Sequence, residues 1–335
     1  MNRMIELNLV EIFDNNTQKY GVYLMNNQSV QEQKWFMDSF YRSFGIRKHL
    51  NLNWFNWFYN LNPCGTCRNY VLIDMEKGTW IGGFGFAKIP YRLNELNSIG
   101  GLAVNGFINP GYEGKGLYTK LISRGLGLES SKERILFSLP HASNLASIKG
   151  HLKSGWERLT GLSFMEIKVD KSKSKPNHAV CLDQPEDLET LNFNLFNQDN
   201  VFEFMRNYNF LFWRFISRPN KKYSFLKVEM DEHIGYMVLG FYEPINGCKR
   251  CQIADYRYTA KSCLLELINS AYLVALQNKC NILDVLISEN CEPYDLFSSA
   301  GFAPGKEGYE LLTYTTNPVE LDNTSLITYG DLDTI

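Results

Sequence analysis

Residues Ile108 to Leu121 (INPGYEGKGLYTKL) set Gly111, Gly114, Gly116 and a proline between an apolar run and a helix-like run. A strand that empties through a glycine-rich turn into a helix leaves the first helical N–H groups without intrahelical partners. With the positive end of the helix dipole they form an anion site, most often for phosphate. Glycine lets the backbone approach a ligand with no Cβ in the way. The competing reading is a plain strand–turn–helix junction. Two histidines follow. His141 comes after Pro140 at the C-terminal end of the next strand, where α/β sheets bind ligands, and His151 sits on the helix beyond it. An imidazole titrates near neutrality and can exchange a proton with a substrate. The alternatives are a solvated loop residue for His141 and a packing residue for His151. Asn144 faces the same choice between a site role and a helix cap.

The elements that must position these groups occur twice. In the first half, Trp57 stands six residues before Pro63. Strands follow over 70–74, 79–88 and 98–104, then a helix over 117–128, a strand over 135–139 and a shorter helix stopped at Gly155-Trp156. In the second half, Trp213 stands six residues before Pro219. Strands follow over 223–228, 233–241 and 252–258, then a helix over 263–277, a strand over 282–287 and a helix stopped at Gly301-Phe302. Matching order, spacing and punctuation indicate an internal duplication. The polar stretch 171–178 divides the halves, giving domains 1–170 and 178–335. The glycine-rich turn is present in one copy only, since the second reads ADYRYTAKSCLLE at that point. A turn needed merely for folding would be needed twice, so its presence in one copy favours a ligand role there.

Composition bounds the class. The chain has 335 residues, long for a single core, with 44% hydrophobic and 21% charged residues and a formal net charge of −2. That charge argues against a nucleic-acid binder relying on bulk phosphate attraction. No apolar run approaches the roughly 20 residues that span a bilayer. The N-terminal run is broken by Glu6 and Glu11, unlike a signal peptide, so a cytoplasmic protein is expected. Eight cysteines then read as thiols. The pairs Cys64/Cys67 and Cys248/Cys251 could each supply half a zinc site, but no histidine completes either locally, and no metal is expected.

The segments 108–118 and 144–156 together resemble two motifs of the GNAT acyltransferase superfamily. The first is similar to the acyl-CoA loop, V-x-P-x-x-[RQ]-x-x-G-x-[GA], and the second, Asn144 to Trp156, to N-x-x-[AS]-x-x-x-[YF]-x-K-x-G-[FW]. The resemblance covers residues 70–169 well and the second half in outline. It implies an α/β fold of two tandem GNAT-like domains, each a mixed, mainly antiparallel sheet flanked by helices, with acyl-CoA as cosubstrate. It further implies that Gly111, Tyr112, Gly114, Lys115, Gly116, Leu117 and Tyr118 hold the pyrophosphate. Ala103, Val104 and Asn105 would pair with the pantetheine, one of their N–H groups serving the oxyanion. His151 occupies the position of the family's acid, with His141 as the alternative base. Two residues depart from the pattern: Glu113 stands where Arg or Gln is usual, and Tyr118 replaces a small residue.

The W-x5-P repeat and the tail from Leu326 to Asp333 resemble sugar N-acyltransferases of bacterial surface-polysaccharide pathways, some acting on dTDP-linked 3-amino-3,6-dideoxyhexoses. On that resemblance the second half is the acceptor side. Asp255, Tyr256 and Arg257 lie on its third strand, and Arg214 and Arg218 lie beside the repeat proline, where arginine suits a nucleotide diphosphate. Surface ion pairs for the arginines and core packing for Tyr256 are the alternatives. A sugar amine should titrate near the ~7.7–8.0 of an α-amino group, leaving a usable neutral fraction. Other activities fit less well. The P-loop hydroxyl is missing because Gly116 follows Lys115, and neither G-x-G-x-x-G nor G-x-S-x-G occurs. A Fem-like aminoacyl ligase working from aminoacyl-tRNA and a non-catalytic acyl-CoA or sugar-binding protein remain as alternatives.

Overall fold

The structure, a computed structural model, describes residues 9–15, 18–47, 49–93, 96–170, 179–182, 185–196, 202–243, 247–316 and 325–332. The polar divider at 171–178 lies outside them. By contacts the chain forms two compact units. The first comprises Met1–Pro90, Ser98–Arg158 and Leu311–Glu320, the second Tyr91–Asn97, Leu159–Glu310 and Leu321–Ile335.

In the first unit the elements are β1 (Leu9–Asn15), β2 (Gln18–Leu24), α1 (Val30–Phe44), α2 (Leu52–Phe55), β3 (Arg68–Asp74), β4 (Thr79–Leu93), β5 (Leu96–Ile108), α3 (Leu117–Glu129), β6 (Ile135–Ser138) and α4 (Leu145–Lys153). Strands β1 to β4 pair antiparallel in chain order. Strand β5 lies beside β4 and pairs parallel with β6, and residues 312–315 run antiparallel along the other side of β6. The β1–β2 hairpin and α1 were not apparent from the repeat. Helix α1 starts at its Ser29 cap and buries Phe36 and Phe40 against Phe107 of β5. Beneath α3 the core packs Tyr70, Leu72, Phe84 and Phe86 of the sheet against Leu121 and Ile122 of the helix.

The second unit holds β7 (Glu157–Lys168), β8 (Val180–Leu182), β9 (Phe202–Phe204), α5 (Tyr208–Leu211), β10 (Tyr223–Met230), β11 (His233–Tyr242), β12 (Arg250–Tyr258), α6 (Lys261–Gln277), β13 (Ile282–Ser288), α7 (Glu292–Ser299), β14 (Ala303–Thr315) and β15 (Ser325–Leu326). Its order is β8-β10-β11-β12-β13-β7, and β12/β13 is the parallel pair among antiparallel neighbours. Both units are therefore mixed, mainly antiparallel sheets with a parallel pair in the same place, and in the second unit β15 also pairs parallel with β9. The strand closing each sheet is encoded with the other half of the sequence. Strand β7 follows α4 yet pairs with β13, and residues 312–315 follow α7 yet pair with β6.

Local details repeat as well. Asn51 and Asn207 cap the two short helices, each of which runs into a π-helical turn, Asn56–Asn60 and Phe212–Ile216, that carries the repeat tryptophan. Helices α4 and α7 end alike. Gly155 N donates to Leu152 O (3.1 Å) and Trp156 N to His151 O (3.2 Å). Gly301 N donates to Ser298 O (2.9 Å) and Phe302 N to Phe297 O (3.1 Å). These paired bonds, with Gly155 and Gly301 at φ 89° and 94°, are Schellman caps.

The second unit is locked by a buried ion cluster. Arg206 donates to Asp255 through Nε and Nη2 (3.0–3.1 Å) and to Asp331 (2.7 Å). Thr328 and Tyr236 donate to the same Asp255 at 2.8 and 2.9 Å. Burial pushes the Asp255 carboxyl up, but the Arg206 and Arg257 charges outweigh it and hold it below the usual carboxylate range. The cluster ties the 325–332 tail to strand β12. Arg206→Met removes the cation shared by buried Asp255 and Asp331, leaving only Arg257 near Asp255 (3.7 Å), and the expected cost is about 3–5 kcal/mol, read as a lowered urea midpoint. A midpoint within error of the unsubstituted protein would mean that packing alone holds the tail.

Candidate functional site

The glycine-rich loop joins β5 to α3 and is pinned at both ends. Asn109 is buried, donates to Ser39 Oγ (3.0 Å) and accepts from Ser43 Oγ (2.8 Å), both on α1. Tyr112 donates to Asp74 (2.7 Å), accepts from Lys77 (3.0 Å), and has the Lys77 and Lys115 ammonium groups 5.2 and 5.1 Å from its ring. Asn15, at the β1–β2 turn, donates to Lys115 O (3.0 Å). Between the pins Gly111, Gly114 and Gly116 adopt φ 87°, 73° and 71°, which favours glycine at all three. Gly116 is the N-cap of α3, and no side chain caps that terminus, so the first-turn N–H groups are left for a ligand.

Those amides border a cleft of about 390 Å³. Its wall runs along Gly106–Ile108 of β5, through Tyr112, Glu113, Gly114 and Gly116, over the first turn of α3, and onto Asn144, Ser147, Lys149 and Lys153 of α4. The structure thus brings Tyr112, Gly114, Gly116, Leu117, Tyr118 and Asn144 to one surface. Gly111 and Lys115 are exposed on the same loop. Ala103, Val104 and Asn105 lie just upstream of the wall. Pairing between β5 and β6 runs only to Ala103↔Ser138, while β5 continues to Ile108. Strand β6 ends there, and Asn105 at φ 52° marks a kink in the stretch of β5 that runs on past it.

The Tyr118 ring fills the floor between β5 and α4. A Cβ on Gly106 would lie 2.3 Å from its hydroxyl and one on Gly150 2.8 Å from the ring, so these two glycines make room for it. Its hydroxyl is 3.3 Å from Ser147 Oγ. Lys149, Lys153, Gly106 and Gly150 were not singled out as site residues from sequence. The spacing of lysines and glycine on α4 carries that information, but only once the helix is known to face the loop.

His151 is a packing residue. It is 2% exposed. Its Nδ1 donates to Ser147 O (2.8 Å), which fixes the tautomer, and its Nε2 then accepts from Ser138 Oγ (3.0 Å). Burial drives its pKa down to about 4, against a partial lift from the Ser147 carbonyl. Neither nitrogen is left for a substrate, and the ring is neutral at physiological pH. Its ring instead packs edge-on against Trp156 at 5.1 Å, the apolar contact of the Schellman cap. In the second copy the equivalent contact is Phe297–Phe302, also 5.1 Å. The sequence carried this signal: the residue five before the closing aromatic is histidine in one repeat and phenylalanine in the other. His141 is half-buried on the loop after β6, its Nδ1 accepting from Ser143 N at 3.2 Å. Asn144 caps α4, accepting from Ser147 N (3.2 Å), and also borders the cleft.

The five residues expected to face an acceptor are all buried instead. Asp255 and Tyr256 are 0% exposed, Arg214 and Arg257 2%, and Arg218 7%. Asp255 is the centre of the ion cluster, and Tyr256 packs on Phe297 at 5.6 Å. Arg257 donates to the Tyr256 and Phe204 carbonyls and approaches Glu203 (3.4 Å). Arg214 donates to Leu332 O, and Arg218 to the Tyr223 hydroxyl (3.1 Å). Their polarity serves the interior. Among the described residues no group of three or more His, Cys, Asp and Glu side chains is placed to hold a metal, and no helix is long and apolar enough to cross a membrane.

No protein-family profile matches the sequence, and no curated protein does. Solved structures match in fold. N-myristoyltransferase from Saccharomyces cerevisiae, with bound myristoyl-CoA, aligns over 92% of this chain and 85% of its own at a TM-score of 0.59 and 10% identity. A GCN5-related N-acetyltransferase from Anabaena variabilis aligns over 89% and 73%, with TM-score 0.67 and 12% identity. A probable N-acyltransferase from Enterococcus faecalis aligns over 88% and 72%, with TM-score 0.63 and 11% identity. The chain therefore has the double-GNAT fold.

The state of His151 sets a pH dependence. Below its ordinary value near 6.5 the unfolded chain takes up a proton that the folded site refuses until about pH 4. Stability should therefore fall as pH drops across that window, by up to roughly 3 kcal/mol from this group. His151→Phe, the residue of the second copy, should remove that part of the slope in urea unfolding at successive pH values. An unchanged slope would show that His151 is protonated within the fold.

Proposed function

We propose that the chain is an acyl-CoA-dependent N-acyltransferase whose first unit binds the donor. The observation that carries this reading is the coincidence of three features in one cleft. These are an uncapped helix start behind left-handed glycines, a strand, β5, that runs on past the end of its parallel partner, and lysines along the rim. The cleft volume falls within the range typical of small-molecule sites. The donor set fits the proposed ligand: backbone N–H groups of 114–117 for the diphosphate, and the β5 edge beyond Ala103 for an amide-bearing chain. Lys115, Lys149 and Lys153 would supply screening of the phosphate charge.

The chain's own residues then have defined tasks. The loop orients the donor, and an N–H of β5 beyond Ala103 stabilises charge developing on the thioester oxygen. With His151 buried and neutral, the Tyr118 hydroxyl, on the floor of the cleft, is the donor assigned to the departing sulfur. A thiolate with an ordinary pKa near 8.5 needs only that hydrogen bond, not a strong acid. The attacking amine must arrive neutral. An acceptor of low basicity, such as an amino sugar, supplies a neutral fraction without a dedicated base. The nucleotide-linked amino sugar rests on the sequence resemblance of the tail and the repeat. The tail is accounted for by the Arg206 cluster, so the amine acceptor and the sugar both rest on the resemblance.

A thiol-release assay with acetyl-, octanoyl- and myristoyl-CoA against amino sugars, nucleotide-linked amino sugars and N-terminal glycine peptides tests the activity. Free CoA should appear only with a matching amine, and Gly116→Asp should abolish both release and CoA binding by placing a carboxylate among the loop amides. CoA binding without release for any amine would favour a binding protein. Tyr118→Phe should lower kcat about tenfold or more while leaving CoA affinity within twofold. Equal loss in both would reduce Tyr118 to a packing role.

A further inference from the structure

Four polar side chains link the end of β6 to the cleft. Ser138 Oγ lies 3.0 Å from His151 Nε2, and His151 Nδ1 lies 2.8 Å from the Ser147 carbonyl and 3.5 Å from Ser147 Oγ. Ser147 Oγ lies 3.3 Å from the Tyr118 hydroxyl, and both residues line the cleft. A carbonyl oxygen only accepts, so the hydrogen of the neutral imidazole sits on Nδ1. That assignment sets the direction of the neighbouring bonds. Nε2 accepts, and the Ser138 hydroxyl donates to it. Ser147 Oγ faces a protonated Nδ1 and cannot donate there. Its hydrogen goes instead to its other side-chain neighbour among the described residues, the Tyr118 oxygen. The phenol has one hydrogen, and an oxygen that accepts from Ser147 keeps that hydrogen off the Ser147 bond.

We propose that Ser147 is a positioning residue for acyl transfer, donating to the Tyr118 oxygen and so holding that hydroxyl's hydrogen toward the cleft. The proposal rests on the acyl-CoA reading and deepens it by naming what aims the donor to the departing sulfur. Every donor in the chain, from Ser138 through His151 and Ser147 to Tyr118, then points the same way. Hydrogen bonds aligned in one direction polarise one another, which makes the last hydroxyl a better donor. Packing alone does not require this chain. In the second copy the residues five and nine before the closing aromatic are Phe297 and Pro293, where the first has His151 and Ser147. Phe297 makes the same edge-on contact as His151, yet neither Phe297 nor Pro293 has a side-chain donor. The hydroxyl chain belongs to the copy that has the cleft. Ser147 acts through Tyr118, so its effect falls on kcat rather than on donor binding.

Two measurements on the full chain test this, with Ser147→Ala, Ser147→Thr, Tyr118→Phe and the Ser147→Ala/Tyr118→Phe pair. The Asn144 cap uses the backbone N–H of Ser147, so alanine keeps the helix start. In the thiol-release assay Ser147→Ala should lower kcat about fivefold, near the worth of one hydrogen bond, with CoA affinity within twofold. Ser147→Thr should restore kcat, and Ser147→Ala should add no loss once Tyr118 is phenylalanine. An unchanged kcat, or losses that multiply in the pair, overturns the proposal. The second measurement needs no turnover: ring-13C tyrosine NMR follows the titration of Tyr118. A bond donated to the phenol oxygen favours the tyrosinate, so Ser147→Ala should raise the midpoint by about 0.5–1 pH unit. A lowered midpoint means that Ser147 accepts from Tyr118, an unchanged one that the two do not interact, and either overturns the proposal. If no amine releases CoA from any acyl-CoA, the acyl-transfer reading fails by itself, while a raised midpoint still upholds the direction of the Ser147 bond.

Discussion

Everything specific about this fold turns on what lies beside a strand that runs on past its parallel partner's pairing. In the first unit β5 and β6 pair to Ala103↔Ser138, where β6 ends, and in the second β12 and β13 pair to Ile253↔Val285, and in each the first-named strand runs on. Polar groups along such a stretch need partners, because leaving them buried and unpaired is costly. In the second unit the tail lies beside it and binds its side chains. Thr328 binds Asp255, Tyr329 donates to Asp284 at 2.7 Å, and a Cβ on Gly330 would lie 3.3 Å from the Ala254 carbonyl. In the first unit the corresponding stretch of β5 leads into the wall of the cleft. On the proposed reading one copy fills the place beside that stretch with protein and the other with ligand.

The loops follow the same division. Between β12 and α6 lie only residues 259 and 260, whereas 109–116 join β5 to α3. Two residues cannot build a concave run of amides, and the α6 cap, Ala260, is extended rather than left-handed. The asymmetry visible in the sequence as three glycines against none is therefore a difference of loop length and helix-start geometry.

The element order and the duplication were legible because they rest on local signals: the spacing of Trp57 and Trp213 from Pro63 and Pro219, glycine stops at Gly155 and Gly301, and alternation along the strands. The exchange of closing strands was not, since β7 and residues 312–315 carry ordinary alternation and nothing local says which sheet they join. The acceptor residues failed for a related reason. A sequence such as Asp255-Tyr256-Arg257 on a strand looks functional because buried charges are rare. Asp255 is neutralised by Arg206, 49 residues away, which also meets Asp331, 125 residues from it, while Arg257 approaches Glu203. Spacing along the chain does not reveal a cluster assembled from three distant segments. The burial of Arg214 and Arg218 was hidden in the same way.

The replacement of a small residue by Tyr118 gains its meaning from a second comparison between the copies. Counted from the last paired residue, Gly106 on β5 and Tyr256 on β12 hold the same position. In the second unit the strand itself supplies the ring, which packs on Phe297 of α7. In the first unit the strand supplies glycine, and the ring comes from α3, lying 6.1 Å from His151 of α4. Both arrangements fill the space between strand and closing helix with an aromatic, so the packing requirement is met either way. Only the helix-borne ring brings its hydroxyl to Ser147 at the wall of a cleft; the Tyr256 hydroxyl is buried in the core. Moving the ring from strand to helix preserves the core while leaving the strand free of bulk where a donor would run. That is how Tyr118 fills the floor without closing the cleft, and on the proposed reading the hydrogen bond to the departing sulfur falls to it once His151 is taken up by the helix cap.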